Sequence, residues 1–257
     1  FKQKTAYEIR NCDWSSDVCS SDLPTQMPAW WARPAAAAAD AQPLRGVVLV
    51  LPEVFGVNGW VRSVAERLAE QGYAALAIST FSRTAPDLEA DYNDAGLSVG
   101  REHRDQVTAA QLLADAAAAA AWLQQAHGVS RLGCVGFCFG GHLALLAATL
   151  PAVAATCDFY GARVSTFRPG GGPPSLDLLP QIPGRVLFCC GDADPLMPAE
   201  ELTAIAAAIA ALPVGGHQLL IAAGAGHGYM CEARADFHEK AAAAGWTAML
   251  QLFGEAL

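Results

Sequence analysis

The chain has 257 residues and carries 16 Lys and Arg side chains against 25 Asp and Glu, a formal net charge of −9. An acidic chain in which the basic residues are scattered argues against binding to nucleic acid or to an anionic membrane surface. The positive mean hydropathy comes from alanine-rich segments and not from a continuous apolar run of membrane length, so no transmembrane span is expected.

The first 23 residues are predicted to be a non-native or disordered tail in front of a single domain over residues 24–257. The tail shows no helical or strand periodicity, and it lacks the apolar core that a signal peptide needs. It contains the near-repeat SSDVCSSD at 15–22 and looks like a translated sequencing-adapter read fused to an environmental gene fragment. A native flexible tail is the alternative. The remainder of about 234 residues is long enough for one α/β core.

Strand and helix patterns alternate along the remaining chain, separated by short polar turns. This alternation predicts an α/β fold with a mostly parallel sheet covered by helices on both faces. In the first half, the predicted elements are a surface linker over 34–43, a buried strand over 46–52, a helix over 60–71, a strand over 73–78 and an alanine-rich helix over 103–126. In the second half, strands are predicted over 131–137, 185–190 and 217–222, a helix over 140–148 and a long irregular loop over 163–183.

The most informative motif joins the strand at 131–137 to the helix at 140–148. Gly136-Phe137-Cys138-Phe139-Gly140 has the spacing of a nucleophile elbow, with a thiol where most such enzymes carry a serine hydroxyl. A side chain at either glycine would collide with the opposing backbone of so sharp a turn. The helix N-terminus below Cys138 favours a thiolate. Taken alone, the pentapeptide leaves open a buried structural cysteine in a glycine-rich turn.

Two later loops supply partners for this thiol. Asp194 follows the strand at 185–190, and His227 lies between glycines in the loop after the strand at 217–222. The chain order of nucleophile, acid and histidine is the order of the α/β-hydrolase triad, and it predicts catalytic roles for Cys138, Asp194 and His227. Asp192 competes with Asp194 for the acidic position. The other histidines lie in or beside predicted helices and strands, where a solvated or satisfied imidazole is the simpler interpretation.

With these motifs the sequence resembles the dienelactone hydrolase family, α/β-hydrolases that open lactone rings with a Cys-His-Asp triad. The resemblance runs from about residue 27 to the end of the chain, and the segment 53–58 is similar to the Glu-hydrophobic-Phe-Gly-hydrophobic-Asn signature of the family. It implies that Glu53 contacts the resting thiol and takes part in activating it. It also implies an oxyanion hole made by the backbone N–H groups of Val54 and Phe139.

The resemblance extends to substrate-binding residues, with departures from the family pattern. Arg83 is expected to bind a carboxylate on the substrate, and Tyr160 matches a family position near the pocket, although an aromatic residue at a strand end is often part of the core. Where the family has a second arginine shortly after the catalytic histidine, this chain has Cys231. A thiol does not replace a bidentate charged contact, so the dienelactone substrate itself is in question.

Six cysteines lie outside the predicted tail, and none has the Cys-x-x-Cys spacing of a zinc or thioredoxin site. We therefore expect no metal and no cofactor, and a catalytic thiol fits a reducing cytoplasm. The expected partner is a small lactone or ester, with no nucleic acid or membrane involved, and the protein is expected to be a monomer or a small homo-oligomer.

The sequence thus predicts a hydrolase that opens a lactone or cleaves an activated ester through an acyl-enzyme on Cys138. A general small-ester or thioester hydrolase of the same fold is one alternative. A second is a non-catalytic relic that binds a small molecule. A third is a redox or sulfur-handling protein that uses Cys134, Cys138 and Cys231.

Overall fold

A computed structural model of the chain describes residues 6–9, 27–34, 44–213 and 216–257, with the backbone alone described at 6–9. The strands are β1 (Ala6–Ile9), β2 (Ala29–Ala32), β3 (Gly46–Leu51), β4 (Tyr73–Ile78), β5 (Leu132–Phe137), β6 (Val153–Phe159), β7 (Arg185–Gly191) and β8 (His217–Ala222). The α-helices are α1 (Gly59–Glu70), α2 (Asp94–Arg104), α3 (Ala109–His127), α4 (Phe139–Ala147), α5 (Ala199–Ala210) and α6 (Glu239–Ala256).

The strands form one sheet in the order β1-β2-β4-β3-β5-β6-β7-β8. The pairs β1–β2 and β2–β4 are antiparallel, and every later pair is parallel. The predicted mostly parallel sheet with helices is therefore confirmed. Because β3 and β5 to β8 run in one direction, the loops that follow them all leave from the same edge of the sheet.

Alternate residues of the central strands face two separate hydrophobic layers. One layer joins β3, β4 and β5 to α1 and α6, and the other joins the same strands to α3 and α4. Val61, Val64 and Leu68, on the helix predicted over 60–71, are buried in the first of these layers. A strand buried on both sides reads as a continuous apolar run, as 46–51 does, because neither face is left for water.

Within the described ranges, none of the helices combines the length and the apolarity that a bilayer span requires.

The N-terminal region differs from the sequence expectation at four residues. Ala6–Ile9 form β1, which pairs with β2 at the edge of the sheet, although no strand was expected within the first 23 residues. The pattern of these residues is too short to predict a strand, and the pairing is decided by the open edge of β2. The rest of the predicted tail and the predicted linker after Pro34 fall outside the described residues, so their assignment stays a prediction.

The helix predicted over 103–126 is wrong at its start. The chain instead forms α2, breaks at 105–108 and begins again as α3, because Thr108 caps the second helix. The Thr108 hydroxyl accepts from the Gln111 N–H, while the Gln111 side chain accepts from the Thr108 N–H, a capping box that fixes the boundary. The loop predicted over 163–183 also contains a short 3₁₀ helix at Ser175–Gln181.

The turn from β5 into α4 has the sharp geometry expected of a nucleophile elbow. Cys138 has φ 55° and ψ −119°, a backbone conformation that costs an L-residue about 1–3 kcal/mol. A Cβ at Gly136 would strike the carbonyl of Gly140, and a Cβ at Gly140 would strike the carbonyls of Leu51 and Pro52. The two glycines are therefore required by close backbone contacts within the turn and with the end of β3.

We expect Gly136→Ala to lower the free energy of unfolding by about 3 kcal/mol, because the added methyl group meets rigid backbone and not a movable side chain. Gly59→Ala is the matched control, since a Cβ at Gly59 meets nothing within 4 Å, and its effect should stay within about 0.5 kcal/mol. Urea denaturation followed by circular dichroism measures both variants. Equal losses in the two would show that the elbow does not need its glycine.

Candidate active site

Five loops at one edge of the sheet carry the predicted site residues. Their strands are parallel, and the register places Leu51 beside Gly136 and Phe137 beside Phe159. The loops therefore begin next to one another. The residues that these loops carry are Glu53 after β3, Cys138 after β5, Tyr160 after β6, Asp194 after β7 and His227 after β8.

Cys138, His227 and Asp194 form a continuous hydrogen-bonded chain. Cys138 Sγ lies 3.0 Å from His227 Nε2, and His227 Nδ1 lies 2.7 Å from Asp194 Oδ2. Asp194 is buried, and its second oxygen, Oδ1, accepts the N–H of Leu196 at 2.8 Å. Since Asp194 accepts at Nδ1, that nitrogen carries the proton, which leaves Nε2 facing the sulfur. This geometry allows proton exchange between the thiol and the imidazole.

The competing acid, Asp192, has a different role. Its Oδ1 accepts the N–H of Gly224 at 2.6 Å and thereby joins the loop after β7 to the loop after β8. Asp192 is exposed, whereas Asp194 is buried against His227. The structure therefore brings Asp194 and not Asp192 to the imidazole, as the sequence analysis favoured.

The charges around His227 change its basicity. Burial by itself lowers the pKa of His227, but the negative charge of the Cys138 sulfur and the Asp194 carboxylate outweigh this effect and raise that pKa to about 10. A protonated imidazole next to the Cys138 sulfur is therefore favoured. A thiolate is the nucleophilic form of cysteine.

The oxyanion hole that the resemblance implies at the backbone amides of Val54 and Phe139 stays a prediction, and the structure shows the surroundings of both groups. Phe139 is the first residue of α4, where the N–H has no partner within the helix. Among the described residues, neither the Val54 nor the Phe139 N–H donates to a backbone carbonyl. The loop of Val54 is held against the elbow, because the carbonyls of Leu51 and Pro52 pack directly on Gly140.

Glu53 is fully buried and is bonded to a residue that the sequence analysis did not single out. Arg234 Nη1 donates to Glu53 Oε1 at 2.9 Å. Burial raises the pKa of Glu53, while the Arg234 guanidinium opposes the rise. In this structure, then, Glu53 is held by Arg234, and the partner of the Cys138 sulfur is His227.

Arg234 lies seven residues after His227, and its guanidinium packs on Gly228. A Cβ at Gly228 would lie 2.5 Å from Arg234 Cζ, so the glycine after His227 makes room for the guanidinium. The family pattern has a second arginine where this chain has Cys231, and Arg234, three residues later, was not among the predicted site residues. The presence of another arginine in the loop after His227 was a signal from which Arg234 could have been predicted. Cys231 itself is buried, and burial raises its pKa to about 11.

Arg83 forms an ion pair with an acidic residue of α3. Its Nη1 and Nη2 atoms contact the two carboxylate oxygens of buried Asp115 at 2.6 and 2.9 Å. The Arg83 side chain is 19% exposed, and the Ser82 hydroxyl donates to the same carboxylate at 2.7 Å. The structure therefore joins Arg83 to Asp115 and shows no contact between Arg83 and the Cys138–His227 pair. A contact with a substrate carboxylate stays a prediction.

Tyr160 is fully buried beside the imidazole of His227. The two rings are 5.3 Å apart in an edge-to-face arrangement, and Tyr229 packs on Tyr160 at the same distance. Tyr160 has φ 45°, and its hydroxyl has no hydrogen-bond partner among the described residues. Desolvation, followed by the charges of Glu53 and Cys138, raises the pKa of Tyr160, which keeps the phenol neutral. The hydroxyl is thus a buried, neutral donor, and its contact with a bound ligand stays a prediction.

Cys134 and His142 are buried residues with structural roles. Cys134 is fully buried, and burial raises its pKa, so it lacks the character of a reactive thiol. His142 is buried and contacts the carbonyl of Ala162 and the hydroxyl of Ser175, the satisfied state expected for it. Over the described ranges, no group of three or more His, Cys, Asp or Glu residues is arranged to hold a metal ion.

Comparison with known proteins identifies the family of the chain. The model of the dienelactone hydrolase family matches residues 32–257. The chain belongs to the dienelactone hydrolase family. A Synechocystis sp. protein named as a carboxymethylenebutenolidase is 37% identical over 209 residues, which cover 80% of this chain and 85% of the relative.

Two further family members extend the comparison. A Bradyrhizobium protein named as a 2-oxo-3-(5-oxofuran-2-ylidene)propanoate lactonase is 34% identical over 203 residues, which cover 77% of this chain and 79% of the relative. The crystal structure of a Klebsiella pneumoniae protein named as a dienelactone hydrolase has a TM-score of 0.82 and 29% identity, with 98% of each chain covered. The chain is thus a lactone or ester hydrolase with the α/β-hydrolase fold of this family.

We expect the His227 imidazole to remain protonated well above pH 6.5 and to lose its proton near pH 10. Since Cys138 supplies the largest contribution that raises this pKa, Cys138→Ala should lower it. Asp194→Asn should lower it as well. Titration of the imidazole by NMR measures all three proteins, and a wild-type pKa near 6.5 that is unchanged in Cys138→Ala would contradict the effect of the sulfur on the imidazole. His217 on β8 is an internal control, because burial lowers its pKa.

Proposed function

We propose that the chain opens a lactone ring or cleaves an activated ester through an acyl-enzyme on Cys138. The observation that carries the proposal is the distance of 3.0 Å between Cys138 Sγ and His227 Nε2 at the end of a nucleophile elbow. Membership of a lactone hydrolase family supports the substrate class. Asp194 orients the imidazole and stabilises its charged form.

The reaction follows from the charges at the site. The Cys138 thiolate adds to the carbonyl carbon of the substrate, and the N–H groups of Val54 and Phe139 stabilise the oxyanion. As the tetrahedral intermediate collapses, the C–O bond to the leaving group breaks, and the His227 imidazolium gives its proton to the departing oxygen. Neutral His227 then takes a proton from water, hydroxide adds to the thioester, and the acid product leaves as the thiolate forms again.

Glu53 and Arg234 are proposed to control when the thiol is reactive. A carboxylate next to the sulfur would keep Cys138 protonated, because two negative charges in a buried site repel each other. The ion pair with Arg234 holds Glu53 by a charge-assisted hydrogen bond of 2.9 Å and neutralises its charge. With Glu53 bonded to Arg234, the sulfur of Cys138 contacts His227. We propose that this arrangement is the reactive one.

Two arginines are proposed to bind a carboxylate on the substrate. Arg83 keeps the role that the resemblance implies, but its guanidinium charge is already balanced by Asp115. Arg234 is the second candidate, since its side chain is 17% exposed and its charge interacts with both Cys138 and Tyr160. The name of the Bradyrhizobium relative describes a lactone that carries a propanoate group. Tyr160 is proposed to donate its unpartnered hydroxyl to the bound substrate.

A cytoplasmic location is part of the proposal, because the six described cysteines are all free and a reducing compartment preserves a catalytic thiol.

Replacing Cys138 with Ala should lower the turnover of an activated ester by about 10³-fold or more, because no other described group can form the acyl intermediate. Intact-protein mass spectrometry during slow ester turnover should show the wild-type mass increased by one acyl group, and Cys138→Ala should show no increase. His227→Ala should slow both acylation and release. Circular dichroism checks that each variant is folded.

The matched control is Cys134→Ala, which removes a fully buried thiol from β5, the strand that leads into the elbow. Its turnover should stay close to the wild-type value, although some stability is lost with the core sulfur. An ester hydrolysis rate that survives in Cys138→Ala would remove the acyl-enzyme from the mechanism. An acyl group found on another residue would do the same.

Lactones with and without a free carboxylate test the two arginines. For the carboxylate-bearing lactone we expect Arg234→Met to raise KM by about tenfold to a hundredfold, the value of a hydrogen bond to a charged group. Arg83→Met should have a smaller effect, because the charge of Arg234 interacts with Cys138 and Tyr160, whereas the described contacts of Arg83 are with Ser82 and Asp115. Arg185→Met, which breaks an exposed pair with Glu255, is the control and should leave KM unchanged. A wild-type enzyme with no preference for the carboxylate would contradict both roles.

A further inference from the structure

Asp158 is a buried acid next to the nucleophile elbow that no step of the proposed mechanism uses. It lies near the end of β6, where the register places it between Gly136 of β5 and Phe188 of β7. Its side chain is buried, and Oδ2 has no hydrogen-bond partner among the described residues. A carboxyl group in such surroundings is costly, so its contacts require a physical explanation.

The other oxygen of Asp158 holds the turn that carries Tyr160. Oδ1 accepts the N–H of Gly161 at 2.8 Å, a side-chain hydrogen bond that spans three residues. A Cβ at Gly161 would strike this carboxylate and the backbone N of His142, and a Cβ at Gly141 would strike Asp158 Oδ1. Both glycines are thus required by the carboxyl group, which lies between the Tyr160 turn and the first turn of α4.

The turn places Tyr160 in a backbone conformation that a tyrosine rarely adopts. Its φ of 45° lies in the left-handed region, where an L-residue is strained and must be held by its surroundings. The Tyr160 N–H donates to the Cys189 carbonyl at 2.9 Å on one side, and the Gly161 N–H donates to Asp158 on the other. The Phe159 carbonyl accepts the Cys138 N–H at 2.9 Å, so the turn also contacts the nucleophile.

We propose that Asp158 is a positioning residue of the active site, which fixes the Tyr160 turn through the Gly161 N–H and thereby sets the Tyr160 ring against His227. The result of this positioning is the edge-to-face contact of 5.3 Å between the two rings. The inference rests on the proposed function in one respect, the role of the Tyr160 hydroxyl as a donor to substrate. The placement of the ring is independent of that role.

An amide should replace this carboxyl group with little loss. Burial raises the pKa of Asp158 to about 7, against the opposing effect of the Gly161 hydrogen bond. The group is therefore partly protonated at neutral pH, and either form keeps an oxygen that accepts from Gly161. Asp158→Asn retains this acceptor, whereas Asp158→Ala and the similarly sized Asp158→Val remove it.

The first test is the NMR signal of the His227 ring, which is sensitive to the orientation of the aromatic ring beside it. We expect Asp158→Ala and Asp158→Val to shift this signal, and Asp158→Asn to leave it near its wild-type position. Thr156→Val is the control, because Thr156 is two residues earlier on β6 and its buried hydroxyl also has no partner among the described residues. Either acceptor-free variant is sufficient if the other does not fold.

The second test is a double-mutant cycle with Tyr160→Phe on ester hydrolysis. Asp158→Ala should lower kcat/KM by about tenfold or more, since a small misplacement of a site group has effects of this size. Asp158→Asn should remain within about threefold of wild type, because the hydrogen bond to Gly161 is retained. In the Tyr160→Phe background the loss from Asp158→Ala should shrink to about twofold, as expected for residues that act through one another.

The two tests separate the inference from the proposed function. An unchanged His227 signal in the acceptor-free variants overturns the positioning role whether or not the protein hydrolyses any ester. Losses that add in the double-mutant cycle while the ring signal moves overturn only the role of the Tyr160 hydroxyl, because Tyr160→Phe keeps the ring. If Cys138→Ala keeps its activity, the proposed function fails alone, and the NMR result still decides the role of Asp158.

Discussion

Cys138 Sγ and His227 Nε2 lie 3.0 Å apart although 89 residues separate them along the chain. The elbow and Asp194 hold these two atoms in place. The elbow holds the sulfur in a strained conformation above α4, and the glycines at 136 and 140 allow the turn to pack without collision. Asp194 holds the imidazole from the opposite side, so the ring has one orientation, with Nε2 towards the sulfur.

The buried charges of the site occur in pairs. His227 is bonded to Asp194, and Arg234 is bonded to Glu53, which is fully buried. Because an unpaired charge in such a place costs several kcal/mol, the pairing explains how four ionisable groups remain in the interior of the protein. In the structure Glu53 contacts Arg234, while the sulfur of Cys138 contacts the imidazole of His227.

Arg83 and Arg234 illustrate the limits of a residue-by-residue resemblance. The sequence indicated Arg83 by its position, but nothing in the local sequence showed that Asp115 on α3 would occupy both of its terminal nitrogens. Conversely, Cys231 indicated the loss of an arginine, whereas Arg234 lies in the same loop with its guanidinium beside the site. A charged side chain several atoms long acts far from its Cα, so its position in the sequence does not fix the place of its charge.

The sequence by itself determined the parallel α/β fold and the order of Cys138, Asp194 and His227, because strand periodicity, glycine spacing and turn residues are local signals. It did not determine the break before Thr108, the strand at Ala6–Ile9, the ion pair of Glu53 with Arg234, or the place of Asp158 beneath the elbow. These features depend on contacts between residues that the fold brings together from distant parts of the chain. Their energies come from packing and charge in three dimensions, which the local pattern of residues does not record.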